Sequence, residues 1–148
     1  MADKIGIAMG GGGARGFAHL CVVKALFEKG IEPHMYSGVS AGAIAGVLLA
    51  DGKSPEEAHN VLKDKGLLKL GKLHFPTNGI LKFDGLTEEL QKAVEAKNIE
   101  DLSTPLVVAA SNLNKAEIRY FDRGPLSTIV TASASIPILF TPVEIDGH

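Results

Sequence analysis

Short apolar runs alternate with longer periodic ones along most of the chain. Residues 4–9 hold Ile5, Ile7 and Met9 in a run too short for a helix and closed by glycine, which predicts a short buried strand. The period then changes. From Phe17 to Lys29, Leu20, Val23 and Phe27 share one helical face, and Gly30 suits the position after the last turn. A second short strand is expected at Met35-Tyr36-Ser37, then a tight turn over 38–42 and a small-residue helix from Ala43 to Ala50. Ser54-Pro55-Glu56-Glu57 is a capping box with proline in the first turn, and opens a helix running to about Lys65. Residues 66–82 show no clean period. Leu86 to Lys97 reads as a helix, and 105–110 as a buried strand that 118–121 can pair with across 112–115. Pro125 to Ala134 is expected to be helical, and 142–145 to begin a last strand. Such alternation predicts an α/β fold with a mostly parallel sheet covered on both faces. In these sheets binding sites lie beyond the strand C-terminal ends, where both glycine-rich turns of this chain fall.

The 148 residues match the length of one domain, and 45% hydrophobic with 22% charged residues excludes a disordered chain. Seventeen glycines and no tryptophan imply a small, aliphatic core. A net charge of −2 argues against a nucleic-acid partner, which calls for a strongly basic face. A single cysteine, Cys21, excludes an internal disulfide and fits a reducing compartment. No apolar signal-like run precedes Gly10, and the apolar stretch 41–50 falls short of the roughly 20 residues of a membrane span. A cytoplasmic protein is expected.

Candidate chemistry sits in the two turns. Gly38-Val39-Ser40-Ala41-Gly42 matches G-x-S-x-G, in which a strained strand-to-helix turn projects a nucleophilic serine at a helix N-terminus. The plainer reading is a tight βα turn with Ser40 as the helix N-cap. Gly10 to Gly16, ahead of the first helix, can aim several backbone N–H groups into one concavity. Gly11-x-Gly13-x-x-Gly16 satisfies a dinucleotide fingerprint, but its usual acidic partner about 20 residues on is missing; the nearest acid, Glu32, precedes the second strand. Alternatively the loop is an oxyanion hole beside Ser40, with Arg15 orienting it or contacting a headgroup. Neither a triad nor its histidine is visible. His59, His74 and His148 follow Ser40 without standing after a strand, and His19 and His34 precede it; all read as surface residues. A carboxylate base stays open.

Gly11-Gly12-Gly13-Ala14-Arg15-Gly16, Gly38-Val39-Ser40-Ala41-Gly42 and the run from Ser133 to Val143 together resemble the patatin-like phospholipases, bacterial members above all. The resemblance runs from about Lys4 to the end of the chain. It implies a three-layer α/β/α sandwich and a lipid acyl hydrolase with a Ser–Asp dyad, no catalytic histidine, no cofactor and no metal. By the resemblance Ser40 is the nucleophile, Gly11, Gly12 and Gly13 supply oxyanion donors, and Gly38 and Gly42 shape the elbow. Acyl transfer is a subordinate outcome of the same acyl-serine.

The family's aspartate stands in an Asp-Gly-Gly or Asp-Gly-Ala motif several residues further from the proline-containing turn than Asp146-Gly147 does here. Asp146 is therefore expected to be a turn residue, with the dyad aspartate beyond His148 and residues 1–148 an acyl hydrolase domain incomplete at its C-terminus. A catalytically inactive fragment with a binding or regulatory role is the alternative, and self-association through an uncovered sheet face is expected. Residues 61–82 carry five lysines against Asp64, interleaved with leucines and Phe75. They are a candidate for peripheral contact with anionic lipid.

Overall fold

A computed structural model of the chain describes residues 4–64 and 84–147. Four strands, β1 (Gly6–Met9), β2 (Met35–Val39), β3 (Leu106–Asn112) and β4 (Glu117–Phe121), form one sheet in that order. The first two pairs are parallel, and β3 and β4 make an antiparallel hairpin. A 3-10 turn, Gly13–Gly16, leads into α1 (Phe17–Glu28). Between β2 and β3 lie α2 (Ala41–Ala50), α3 (Pro55–Asp64), α4 (Asp84–Ala93) and a 3-10 turn at Ile99–Asp101; α5 (Leu126–Ala134) follows β4. This is an α/β fold with a mixed, mostly parallel sheet. Met9 pairs with Gly38, so β1 and β2 end level and their two glycine-rich turns open at the same edge.

The central helix is α2. Eight of its ten residues are buried, which fits a helix that is apolar all round and enclosed by other elements. It lies directly on the sheet face of Met9 and Leu106: a Cβ added to Gly46 would stand 3.0 Å from Met9 Cε and 3.1 Å from Leu106 Cδ1. Leu48, Val108, Leu126, Ile129 and Val130 complete the core. On the opposite sheet face Met35, Val39, Ile118 and Tyr120 are exposed.

Local signals hold at most element ends. Gly30 takes φ 71° after α1, the left-handed conformation that glycine adopts freely. The capping box forms in both directions: Ser54 N–H donates to the Glu57 carboxylate at 2.8 Å and Glu57 N–H to Ser54 Oγ at 3.2 Å. The hairpin loop closes on Asn112 Oδ1, which accepts the N–H groups of Asn114 and Lys115.

Three expectations need correction. Leu20 and Val23 are buried but Phe27, on the helical face assigned to them, is 39% exposed. Helix α4 stops at Ala93 instead of Lys97. The N–H groups of Glu95 and Ala96 turn to the carboxylate of Asp51, at the end of α2, and leave the helical ladder. Residues 142–145 form no regular strand. Pro142 has no N–H for a ladder, and Pro142, Val143 and Ile145 wrap around a cavity instead. Most of the basic segment 61–82, His74 included, lies outside the described residues.

Candidate active site

Strand β2 delivers Ser40 to the start of α2 in a conformation few residues accept. Its backbone stands at φ 55°, ψ −120°; it occupies the N-cap position, its carbonyl accepting Ile44 N–H at 3.1 Å, but its side chain makes no capping bond. A non-glycine residue at such angles is strained and persists only where its surroundings fix it. The flanking glycines give the turn its room. A Cβ on Gly38 would lie 2.5 Å from the Gly42 carbonyl oxygen, and one on Gly42 would run into the Met9 carbonyl. Gly16 is equally constrained, since its added Cβ would meet Ala41 Cβ at 2.8 Å.

The glycine loop closes over the serine. The Cβ position of Gly11 stands 3.4 Å from Ser40 Cβ and 4.0 Å from Ser40 Oγ. Gly12 and Gly13 have φ of 156° and 55°, and Arg15 N–H donates back to the Gly12 carbonyl at 3.1 Å. Among the described residues, none of the N–H groups of Gly11, Gly12 and Gly13 donates to another protein group. Arg15 is exposed and pairs with no described carboxylate.

The histidines divide. His19 is more than a surface residue: its Nε2 stands 2.9 Å from the Gly10 carbonyl oxygen and pins the start of the loop. His34 Nδ1 accepts Ile5 N–H at 3.2 Å, and the His59 ring meets Phe17 edge-on at 5.2 Å. None of these three is hydrogen-bonded to Ser40. Asp146 is a turn residue at φ 53°, three-quarters exposed, and its carboxylate stands 3.8 Å from the Arg119 guanidinium. Among the described residues no carboxylate is hydrogen-bonded to Ser40 Oγ, and no cluster of three or more His, Cys, Asp or Glu is placed to hold a metal.

Sequence reasoning missed what surrounds the serine on its far side. A cavity of about 320 Å³ runs from Ser40 between the β3–β4 hairpin and the segment after α5. Phe121, Ile136, Val143 and Ile145 give it apolar walls, and Asn112 and Arg119 a polar end. The Arg119 guanidinium lies 5.0 Å from the centre of the Phe121 ring. Asn112 Nδ2 is buried there without a hydrogen-bond partner. Ser133 is also close: its Oγ accepts Ser40 N–H at 2.8 Å and donates to the Ala109 carbonyl at 2.6 Å. The small-residue pattern at the end of α5 was the only sequence signal for that contact.

Among the described residues no helix is long and apolar enough to cross a membrane. In overall shape the chain is similar to ExoU in its complex with SpcU from Pseudomonas aeruginosa, with a TM-score of 0.62 and 22% identity over 90% of this chain and 36% of that one. In sequence it is 34% identical over 149 residues to an NTE family protein of Mycobacterium tuberculosis, covering 99% of this chain and 41% of that protein. It is 30% identical over 154 residues to the neuropathy target esterase sws of Drosophila persimilis, covering 99% of this chain and 11% of that protein. The chain thus spans about two-fifths of the mycobacterial relative's length and far less of the insect one's. Residues 7–148 match the family model for patatin-like phospholipase, taking in both glycine-rich turns and the end of α5, and the chain belongs to that family.

Proposed function

We propose that this chain carries the nucleophile and oxyanion elements of a serine acyl hydrolase that cleaves lipid esters through an acyl-serine on Ser40. The observation that carries the proposal is the strained backbone of Ser40 at a strand-to-helix turn, with its Oγ 4.0 Å from the Cβ position of Gly11 in the glycine loop. Membership of the patatin-like phospholipases and likeness to a protein named as an esterase support the same reaction class.

In this reading Ser40 Oγ attacks the ester carbonyl and a carboxylate takes its proton. The carbonyl oxygen becomes an oxyanion and accepts hydrogen bonds from the free N–H groups of Gly11, Gly12 and Gly13. Such donors act where charge develops, each worth about 3–4 kcal/mol in comparable sites. The tetrahedral intermediate collapses, and the leaving alcohol departs with the proton. Water then hydrolyses the acyl-serine, with the carboxylate as base, and regenerates Ser40. The apolar walls of the cavity beside Ser40 suit an acyl chain.

Asp146, three-quarters exposed and 3.8 Å from the Arg119 guanidinium, is read as lying outside the dyad. The dyad aspartate is part of the proposal and is assigned to chain following His148, with residues 1–148 as one part of an acyl hydrolase domain. Contact of 61–82 with anionic lipid belongs to the same proposal and rests on the lysine pattern alone.

A fluorophosphonate that modifies nucleophilic serines tests the assignment. With the base assigned beyond His148, this chain is expected to label slowly at Ser40 and to turn over p-nitrophenyl esters slowly or not at all, and Ser40→Ala to abolish the labelling. Turnover retained in Ser40→Ala would overturn the assignment. Asp146→Asn is expected to leave the labelling rate unchanged; a large loss would make Asp146 the base.

A further inference from the structure

Ser133 stands near the end of α5, 93 residues beyond Ser40, yet the two are joined by a hydrogen bond. Serines in helices commonly turn back to the carbonyl four residues earlier, and Ser135, just past the end of α5, does so, donating to the Thr131 carbonyl at 2.8 Å. Ser133 does not. Its single proton goes out of the helix to the Ala109 carbonyl of β3, at 2.6 Å. That donation fixes the hydroxyl rotor, so a lone pair is left facing Ser40 N–H at 2.8 Å. One hydroxyl therefore joins α5, β3 and the strained residue.

The bond does two things for Ser40. The glycines at 38 and 42 leave space for the turn, but they do not draw Ser40 into φ 55°, ψ −120°; the hydrogen bond to Ser133 anchors its N–H directly. It also occupies that N–H, so Ser40 cannot offer it to an oxyanion. We infer that Ser133 is a positioning residue: its hydroxyl holds the backbone of Ser40 in the elbow conformation and keeps the Ser40 N–H from serving an oxyanion. The inference rests on the reading of Ser40 as nucleophile, but its structural half can be measured without activity.

The experiment compares the wild-type chain with Ser133→Ala and with Ser133→Thr, which keeps the hydroxyl. Three quantities are read well below every melting midpoint: the fluorophosphonate labelling rate of Ser40, hydrogen exchange of the Ser40 amide by NMR, and the midpoint itself. Ser133→Ala is expected to label roughly 10- to 100-fold more slowly and to lose Ser40 amide protection, with Ser133→Thr restoring both. A merely structural role would lower the midpoint and leave the labelling rate and the Ser40 amide as they are, which overturns the inference. If Ser133→Ala fails to fold, Ser133→Cys, of similar size with a weak acceptor, replaces it. If wild-type Ser40 is not labelled, the Ser40 amide alone decides: protection lost in Ser133→Ala and kept in Ser133→Thr upholds the positioning role, and unchanged protection overturns it.

Discussion

Gly42 decides at the scale of one residue whether the elbow can exist. A methyl group there would meet two backbone oxygens, those of Met9 and Gly10, and neither can swing aside as a side chain would. Gly42→Ala is expected to destabilise the chain by about 3 kcal/mol or more, read as a shift in urea midpoint. Gly10→Ala is the control, since nothing lies within 4 Å of its added Cβ; it is expected to stay within about 0.5 kcal/mol of wild type. The elbow was legible in the sequence because its steric demands fall on neighbouring positions, 38, 40 and 42. Ser133 was not, because its hydroxyl acquires a role only when α5 docks beside the end of β3. The polar end of the cavity was hidden for the same reason: Asn112 and Arg119 are brought together by the hairpin register, in which Ala110 pairs with Arg119.

Elements held their predicted places where the signal was local and slipped where a distant group intervened. The start of α3 carries a local signal in residues 54–57, and Ser54→Ala is expected to cost about 1 kcal/mol at neutral pH. Glu57 adds a pH dependence. Hydrogen bonding from Ser54, backbone N–H first, holds its carboxyl below the ordinary value of 4.5. The charged form is the bound form. Its contribution is therefore complete above 4.5 and fades as pH falls through the lower value in the folded chain. The deficit of Glu57→Ala against wild type should accordingly narrow in acid, and a deficit unchanged from neutral pH to pH ~3 would show that the carboxylate adds nothing. The end of α4, in contrast, depends on Asp51, 44 and 45 residues away from the N–H groups it draws off, and no local pattern announces that. In α2 the apolar composition both predicted a helix and placed it centrally. Leu48 is fully buried there, and Leu48→Ala is expected to cost about 2–5 kcal/mol in denaturant unfolding.

For the molecule as a whole, the sheet separates a packed face from an open one. Met9, Leu106 and Val108 lie under helices, whereas Met35, Val39, Ile118 and Tyr120 meet solvent. An apolar surface of that kind tends to find cover. The 148-residue chain is expected to bind the dye ANS and to sediment with increasing mass as concentration rises. Ile118→Lys combined with Tyr120→Lys should reverse both while leaving the melting midpoint within a few degrees. A concentration-independent monomer mass with no dye binding would show that the face is already satisfied. The class of fold was readable from the order of strand and helix periods. Which face stays open was not, since 35–39 and 117–121 alternate similarly whether or not a layer covers them.

The bond between Ser40 and Ser133 also bears on time. During synthesis the elbow leaves the ribosome with β2, while the hydroxyl that anchors it is still 93 residues away. At about 5–20 residues per second, that gap lasts roughly 5–20 s. Over that interval β1, β2 and α2 can pack, but the turn at Ser40 lacks its anchor. On the reading given to Ser40, a nascent or prematurely ended chain would hold an unarmed serine, and reactivity would arrive only after α5 has docked.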